Sequence, residues 1–310
     1  MLLASRLATT LRVGAGILAL AAAAALLPVP GLADSGTAAA PTAAYDRLLP
    51  LEGGSNFRDL GGYFTADGRQ VRRGLLFRSG VMTGLTAADQ DYLAAFGFQR
   101  VIDLRSTEER KLYPNRWATA QGIELVAHDY SMREIVERMM GEDGQPRGMG
   151  ELYRGFPYQL EPQLKLFFDE LLADNVPLVV NCSAGQDRTG FSAALLLLAL
   201  GVPREVVMQD YLVSTRYRRP EVERGDVDLA EAAEDNFFAR LMLRYNEGDE
   251  AGAAKPLLTE EGVPFLRFAL DQIEQDFGSI AAYLDERLGV DAADREQLRA
   301  RFLVATYASP

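Results

Sequence analysis

The run Asn181-Cys182-Ser183-Ala184-Gly185-Gln186-Asp187-Arg188-Thr189-Gly190 contains the chain's only cysteine, and five residues separate that cysteine from Arg188. A thiolate is a strong nucleophile, and a guanidinium is a planar fork of donors that grips a phosphate by two hydrogen bonds at once. An apolar stretch, Val176 to Val180, leads in, and a nearly unbroken apolar stretch, Phe191 to Leu200, leads out. That order reads as strand, tight loop and buried helix. Such a loop turns backbone N–H groups inward at a helix N-terminus, where the helix dipole also favours an anion. Nucleophile, anion seat and cation lie together, which implies cysteine-dependent attack on a phosphate ester.

Roles follow from the chemistry. Cys182 attacks phosphorus in line and carries the phosphoryl group as a covalent intermediate. The N–H groups from Ser183, Ala184, Gly185 and Gln186 to Arg188, with the Arg188 side chain, hold the equatorial oxygens. Gly185 lets the loop close around the anion. The departing oxygen needs a proton and the later water must lose one, work that a single carboxyl group can do in turn. Asp187 lies inside the loop, and Asp129 follows the apolar strand Ile123 to Ala127, so either reaches the rim. Arg58 either positions substrate or braces the loop, and bracing is the default. Asp103 and Arg105 suit a supporting ion pair. Tyr153, with Phe156, either walls an aromatic pocket or packs in the core. His128 is the only histidine, so neither a metal nor another cofactor is implied. A Cys182/His128 protease is formally available, but it leaves Arg188 and Gly185 without a purpose. The rival from another class is a non-catalytic phosphate-binding module.

The elements that must position these residues alternate. Strands are expected at Arg100 to Leu104, Ile123 to Ala127 and Val176 to Val180, with helices between them, including Leu160 to Ala173. Thr86 and Asp89 open a helix that runs through Phe96 and is closed by Gly97. Gly62 to Phe64 and Gln70 to Phe77 are expected to form a hairpin turned at Asp67-Gly68. The fold class is therefore α/β: a central, mainly parallel sheet flanked by helices, with a C-terminal helical elaboration. Everything past about Thr215 reads as helical. Within it, residues 219–257 are charged and glycine-containing, an excursion that would serve as a helical insertion or lid.

The N-terminus reads differently. Arg6 and Arg12 precede an uncharged apolar run, Val13 to Leu27, and small residues end at Ala33. Residues 1–33 fit a signal peptide, with an uncleaved anchor as the alternative. Residues 34–48 fit a flexible leader, and 49–310 remain for the catalytic domain. An exported, periplasmic or secreted product is expected, with no stable membrane insertion once the signal is removed. The formal net charge of -12 argues against nucleic acid and broad binding to anionic membranes. One cysteine excludes an internal disulfide, and a free thiol outside the cytoplasm is an oxidation liability, so its retention points to use.

Cys-x5-Arg-Thr-Gly is the signature of the protein tyrosine phosphatase superfamily, and the chain resembles its bacterial secreted tyrosine/lipid phosphatases, an atypical, dual-specificity-like branch. The further matching segments are Asn56-Phe57-Arg58-Asp59-Leu60-Gly61-Gly62, Gly74-Leu75-Leu76-Phe77-Arg78-Ser79, Asp103-Leu104-Arg105-Ser106, Tyr153 to Pro157, Asp210-Tyr211-Leu212, and Phe277-Gly278-Ser279 through Leu288-Gly289. The resemblance implies a protein-tyrosine phosphatase, with phosphorylated protein or lipid as substrate. It favours Asp187 as the acid, and it gives Thr189 the hydroxyl that supports the departing sulfur, unless Thr189 merely caps the helix. Two positions depart from the family pattern: Asn181 stands where histidine is usual and Gln186 where lysine is usual. An amide at 186 still hydrogen-bonds but brings no positive charge.

Overall fold

Apolar residues spaced by two along four short strands sort themselves onto the two faces of one sheet. The structure, a computed structural model, describes residues 46–141, 144, 145, 147–245 and 254–305. The expected signal peptide, most of the leader and part of the 219–257 excursion lie outside the described residues.

In chain order, β1 (Arg58–Asp59), β2 (Gln70–Val71) and β3 (Leu76–Ser79) precede α1 (Ala87–Ala94). Then come β4 (Arg100–Asp103), α2 (Thr107–Leu112), α3 (Arg116–Gln121) and β5 (Glu124–Ala127). Three helices follow: α4 (Met132–Met139), α5 (Met149–Gln159) and α6 (Glu161–Leu172). β6 (Leu178–Asn181) runs through the cysteine loop into α7 (Arg188–Leu200). Beyond it lie α8 (Arg204–Leu212), α9 (Ser214–Tyr217), α10 (Pro220–Arg224), α11 (Leu229–Ala232) and α12 (Phe237–Tyr245). The chain closes with α13 (Phe265–Phe277), α14 (Ile280–Glu286), α15 (Ala292–Phe302) and β7 (Leu303–Val304).

The main sheet has the order β1-β3-β6-β4-β5. β3, β6, β4 and β5 are parallel, and β1 joins β3 antiparallel. β6 is central, with Asn181 opposite Ser79 on one side and Asp103 on the other. Leu178 and Val180 face a core built with Leu76, Ile102 and the apolar helix α7, while Val179 faces a second core with Phe77, Val101 and Trp117. Cys182 therefore emerges at the carboxyl end of the middle strand, the crevice where open α/β sheets hold ligands.

Three expectations are corrected. The long hairpin does not form. A short hairpin does turn at Asp67-Gly68, with the Gly62 N–H on the Val71 carbonyl, the Val71 N–H on the Tyr63 carbonyl and Phe64 bridging Gln70, but the run after it divides, β2 pairing with β7 and β3 entering the main sheet. Gly74 lies between these two pieces with φ +76, a backbone turn that ends one strand before the next begins. Second, the C-terminal region is not wholly helical, because β7 supplies β2's partner. Third, ordered pairing starts within the expected leader: Arg47 accepts from the Asp59 N–H and Leu48 bridges Arg58. The α1 capping box is present, with Thr86 and Asp89 each satisfying the other's backbone N–H, and the helix ends at Ala94, two residues short of Phe96.

Candidate active site

Each segment that builds the loop's surroundings comes from a strand end. Residues 54–56 precede β1, residues 80–81 follow β3, and residues 104–109 follow β4 into α2. The Leu104 N–H donates to the Asn181 carbonyl and the Val81 N–H to the Ser183 carbonyl, both at 2.9 Å. Asn56 Nδ2 donates to the Gly185 carbonyl at 2.8 Å and to that of Ala184 at 3.3 Å. Arg78 Nη2 reaches the same Gly185 oxygen at 2.8 Å. Gly185 has φ +64, and a Cβ there would sit 2.5 Å from the Ser79 carbonyl and the Gly80 nitrogen. Glycine is thus required twice over, by dihedral and by space.

Behind the loop lies a buried charge cluster. Asp210, on α8, takes Arg78 Nη1 at 2.6 Å on one oxygen, and Arg58 Nε at 3.2 Å and the Tyr63 hydroxyl at 2.9 Å on the other. Ser214 accepts from both arginines. Burial, then repulsion from Arg78, lowers the Arg58 pKa to about 10 despite Asp210. Burial would raise the Asp210 carboxyl, but Arg58 and Arg78 hold it well below the usual range. Arg58 is 1% exposed and bonded to Asn56, which holds the loop, an arrangement that suits bracing.

Arg188 begins α7 and is gripped from the side. Its Nη1 and Nη2 donate to the two carboxylate oxygens of Glu109 at 2.7 and 2.6 Å, and Nη1 also donates to the Tyr130 hydroxyl at 2.7 Å. Ser183 Oγ donates to Glu109 at 2.6 Å, and Glu109 accepts the Ser106 N–H at 2.8 Å as the reciprocal half of the α2 capping box. Burial alone would raise the Glu109 carboxyl, yet the Arg188 charge and these hydrogen bonds draw it down to about 2. Burial opposes the charge on Arg188, but Glu109 and then Tyr130 hold its pKa well above the ordinary value. Cys182 itself is buried, at 2% exposure.

The two candidate acids part company. Asp187 stays in the loop as the residue before α7, half-buried, and its Oδ1 accepts the Tyr153 hydroxyl at 2.5 Å. The Tyr211 hydroxyl in turn donates to that of Tyr153 at 2.7 Å. Tyr153 is fully buried, with its hydroxyl on Asp187. Asp129 points outward, with its side chain 83% exposed and paired to Arg110. The next residue, Tyr130, turns in to Arg188. Thr189 does not act as a side-chain cap, because its hydroxyl is buried without a hydrogen-bond partner among the described residues. Ser183 and Ala184 are half-buried in the loop, and Gln186 is buried, accepting from Arg218 Nη1 at 2.8 Å. Asp103 and Arg105 form the expected buried pair at 2.6 Å.

Glu109, Tyr130, Arg78 and Arg218 are the site residues that motif reading passed over. Ser106-x-x-Glu109 carried a legible capping-box spacing. Arg78 sat inside a quoted motif, while Tyr130 and Arg218 have no local signal.

The sole cysteine thus stands at the end of a central parallel strand, one loop away from a carboxylate-held arginine at a helix start. The chain belongs to the tyrosine phosphatase family, whose model matches residues 49–304. It is 32% identical over 256 residues to a Cupriavidus necator protein provisionally named a tyrosine-protein phosphatase, covering 80% of this chain and 86% of that one. It is 28% identical over 276 residues to the triple specificity protein phosphatase PtpB of Mycobacterium tuberculosis, covering 80% and 96%. A tyrosine-protein phosphatase of Nostoc commune is 32% identical over 143 residues, 46% of this chain and 49% of its own. The protein is a phosphoric monoester hydrolase.

Proposed function

We propose that the protein hydrolyses phosphotyrosine, and secondarily other phosphomonoesters of proteins or lipids, through a phosphocysteine formed on Cys182. The observation that carries this reading is one loop that joins Cys182, at the end of the central strand, to Arg188, at the start of α7 and held by both oxygens of a buried glutamate. Cys182 sulfur forms a bond to phosphorus as the ester P–O bond breaks, and Asp187 gives its proton to the leaving oxygen. Asp187 then takes a proton from water as the water oxygen bonds to phosphorus. The S–P bond breaks, orthophosphate leaves, and the Thr189 hydroxyl supports the returning thiolate. Arg188 and the loop amides hold the three equatorial oxygens, where stabilisation of developing charge is worth most. The name of the mycobacterial relative, triple specificity phosphatase, supports a substrate range wider than phosphotyrosine.

Export is part of the same reading, resting on the charged start and apolar run of residues 1–33. No helix among the described residues is long and apolar enough to cross a membrane. Residues 219–257 act as a lid in this reading. Phe238 packs with Val81, Tyr113 and Met132 beside the loop, and Gln186 holds both Arg218 and, at 3.5 Å, the Lys255 carbonyl, the two flanks of that segment.

The test is turnover of p-nitrophenyl phosphate. The wild-type chain is expected to turn it over with chelator present, and Cys182→Ser to lose turnover while still binding substrate. Mass spectrometry of rapidly quenched wild-type protein is expected to find one phosphoryl group on the Cys182 peptide. Turnover retained by Cys182→Ser would place the nucleophile elsewhere, and a wild-type chain that binds but never turns over would be the non-catalytic module.

A further inference from the structure

Gln186 brings no charge of its own to the loop, yet a guanidinium lies against it. Arg218, just after α9, places Nη1 2.8 Å from Gln186 Oε1. Its Nε and Nη2 lie 3.1 and 2.7 Å from the two oxygens of Glu223, on α10. Glu223 is itself fixed by the Ser55 hydroxyl at 2.7 Å, and Ser55 belongs to the segment whose next residue, Asn56, holds the loop. A guanidinium carries five N–H groups. Glu223 and Gln186 use three, leaving two over among the described residues. The side chain is 19% exposed, so it is desolvated without being sealed. Its contact with Gln186, a loop residue next to Asp187, puts it beside the reacting loop.

We propose, resting on the phosphatase reading above, that Arg218 forms a second anion subsite beside the phosphate loop. It takes a second negatively charged group, phosphate or carboxylate, carried by the same substrate molecule as the scissile phosphate. Gln186 aims the guanidinium, and Glu223 occupies it when no such group is present. A second phosphate completes the two unused N–H positions and competes with Glu223 for the others. Guanidinium suits this task because its fork matches a tetrahedral or carboxylate anion by two contacts. A charge-assisted hydrogen bond made in a half-buried site supports about a tenfold gain in affinity.

The experiment measures equilibrium binding by calorimetry to the full chain carrying Cys182→Ser, so that turnover is not needed for the answer. The probes are phenyl phosphate, 1,3-phenylene bisphosphate and 3-carboxyphenyl phosphate; the last two separate a phosphate from a carboxylate as the second group. At least one doubly charged probe is expected to bind about tenfold more tightly than phenyl phosphate. Added Arg218→Met is expected to abolish that ratio, Arg218→Lys to restore part of it, and Glu223→Gln to enlarge it. Thermal unfolding of each variant shows whether the fold is intact, and the Lys and Gln variants keep the test alive should Met destabilise the chain. A ratio near one in Cys182→Ser, or one unchanged by Arg218→Met, overturns the subsite and leaves the phosphatase reading standing. Loss of phenyl phosphate binding by the Cys182→Ser chain itself strikes at that reading instead.

Discussion

Glu109 touches no substrate, yet the geometry makes it the residue on which Arg188 depends. Consider Glu109→Gln, which preserves shape and removes charge. Each carboxylate oxygen accepts two hydrogen bonds, Arg188 and Ser183 on one, Arg188 and the Ser106 N–H on the other. Whichever oxygen the amide nitrogen replaces, two donors lose their acceptor and meet an N–H. The Glu109 pKa falls from the ordinary 4.5 to about 2 in the folded chain, and at about 1.4 kcal/mol per unit this is roughly 3 kcal/mol of stability. Breaking a buried pair by removing one partner typically costs about 3–5 kcal/mol, which agrees. Because the folded value is depressed, the contribution is fully present above the unfolded value and is lost as pH falls through about 2. Urea unfolding at pH 7 should therefore show the variant about 3 kcal/mol less stable, and at pH 3 the gap should narrow by roughly 2 kcal/mol. With Arg188 no longer held, kcat/KM for p-nitrophenyl phosphate should drop on the order of a hundredfold or more. An equal gap at both pH values, or a variant with wild-type turnover, refutes the reasoning.

Asp210→Asn leaves Arg58 and Arg78 facing one another without a carboxylate, and should cost about 3–5 kcal/mol by urea unfolding, with activity falling in parallel; a change under 1 kcal/mol would contradict the cluster. Gly185→Ala must place a Cβ 2.5 Å from backbone atoms at positive φ, so turnover should fall at least tenfold with a lowered unfolding temperature; crystals of an active variant with the loop unmoved would count against that. Tyr153→Phe frees the Asp187 carboxylate, and should slow esters of poor leaving groups more than p-nitrophenyl phosphate, as should Asp187→Asn more strongly. Equal losses on both ester types would remove Asp187 from proton transfer.

The parts of this molecule legible in the chain were those whose physics is local. The cysteine loop, the apolar β6 and α7 around it, and the cap at Thr86 are fixed by residues within a few positions of each other, and they appear where expected. Pairing across long separations was not legible. β2 and β7 meet across more than two hundred residues, and nothing in Gln70-Val71 or Leu303-Val304 names its partner. The candidate site divides in the same way. Asp187 stays in the loop because it is part of the loop. Asp129 was placed by extrapolating β5 to its end, where a single residue decides inward or outward, and Tyr130 is the one that turns in. Glu109 was visible as a cap but not as a ligand of Arg188, since that role depends on β4 lying beside β6.

The carbonyls of Ser183, Ala184 and Gly185 are each drawn outward, by the Val81 N–H, by Asn56, and by Asn56 with Arg78. A trans peptide is a rigid plate whose oxygen and following hydrogen point in opposite directions. Pulling three successive oxygens away from the centre swings the hydrogens of the next residues toward it. Affinity for the anion is thus written on the reverse side of the plate, by side chains that never meet the ligand. Two cations against one carboxylate on that reverse side leave a surplus of positive charge, so a strongly acidic protein can still present an electropositive hollow to a phosphate.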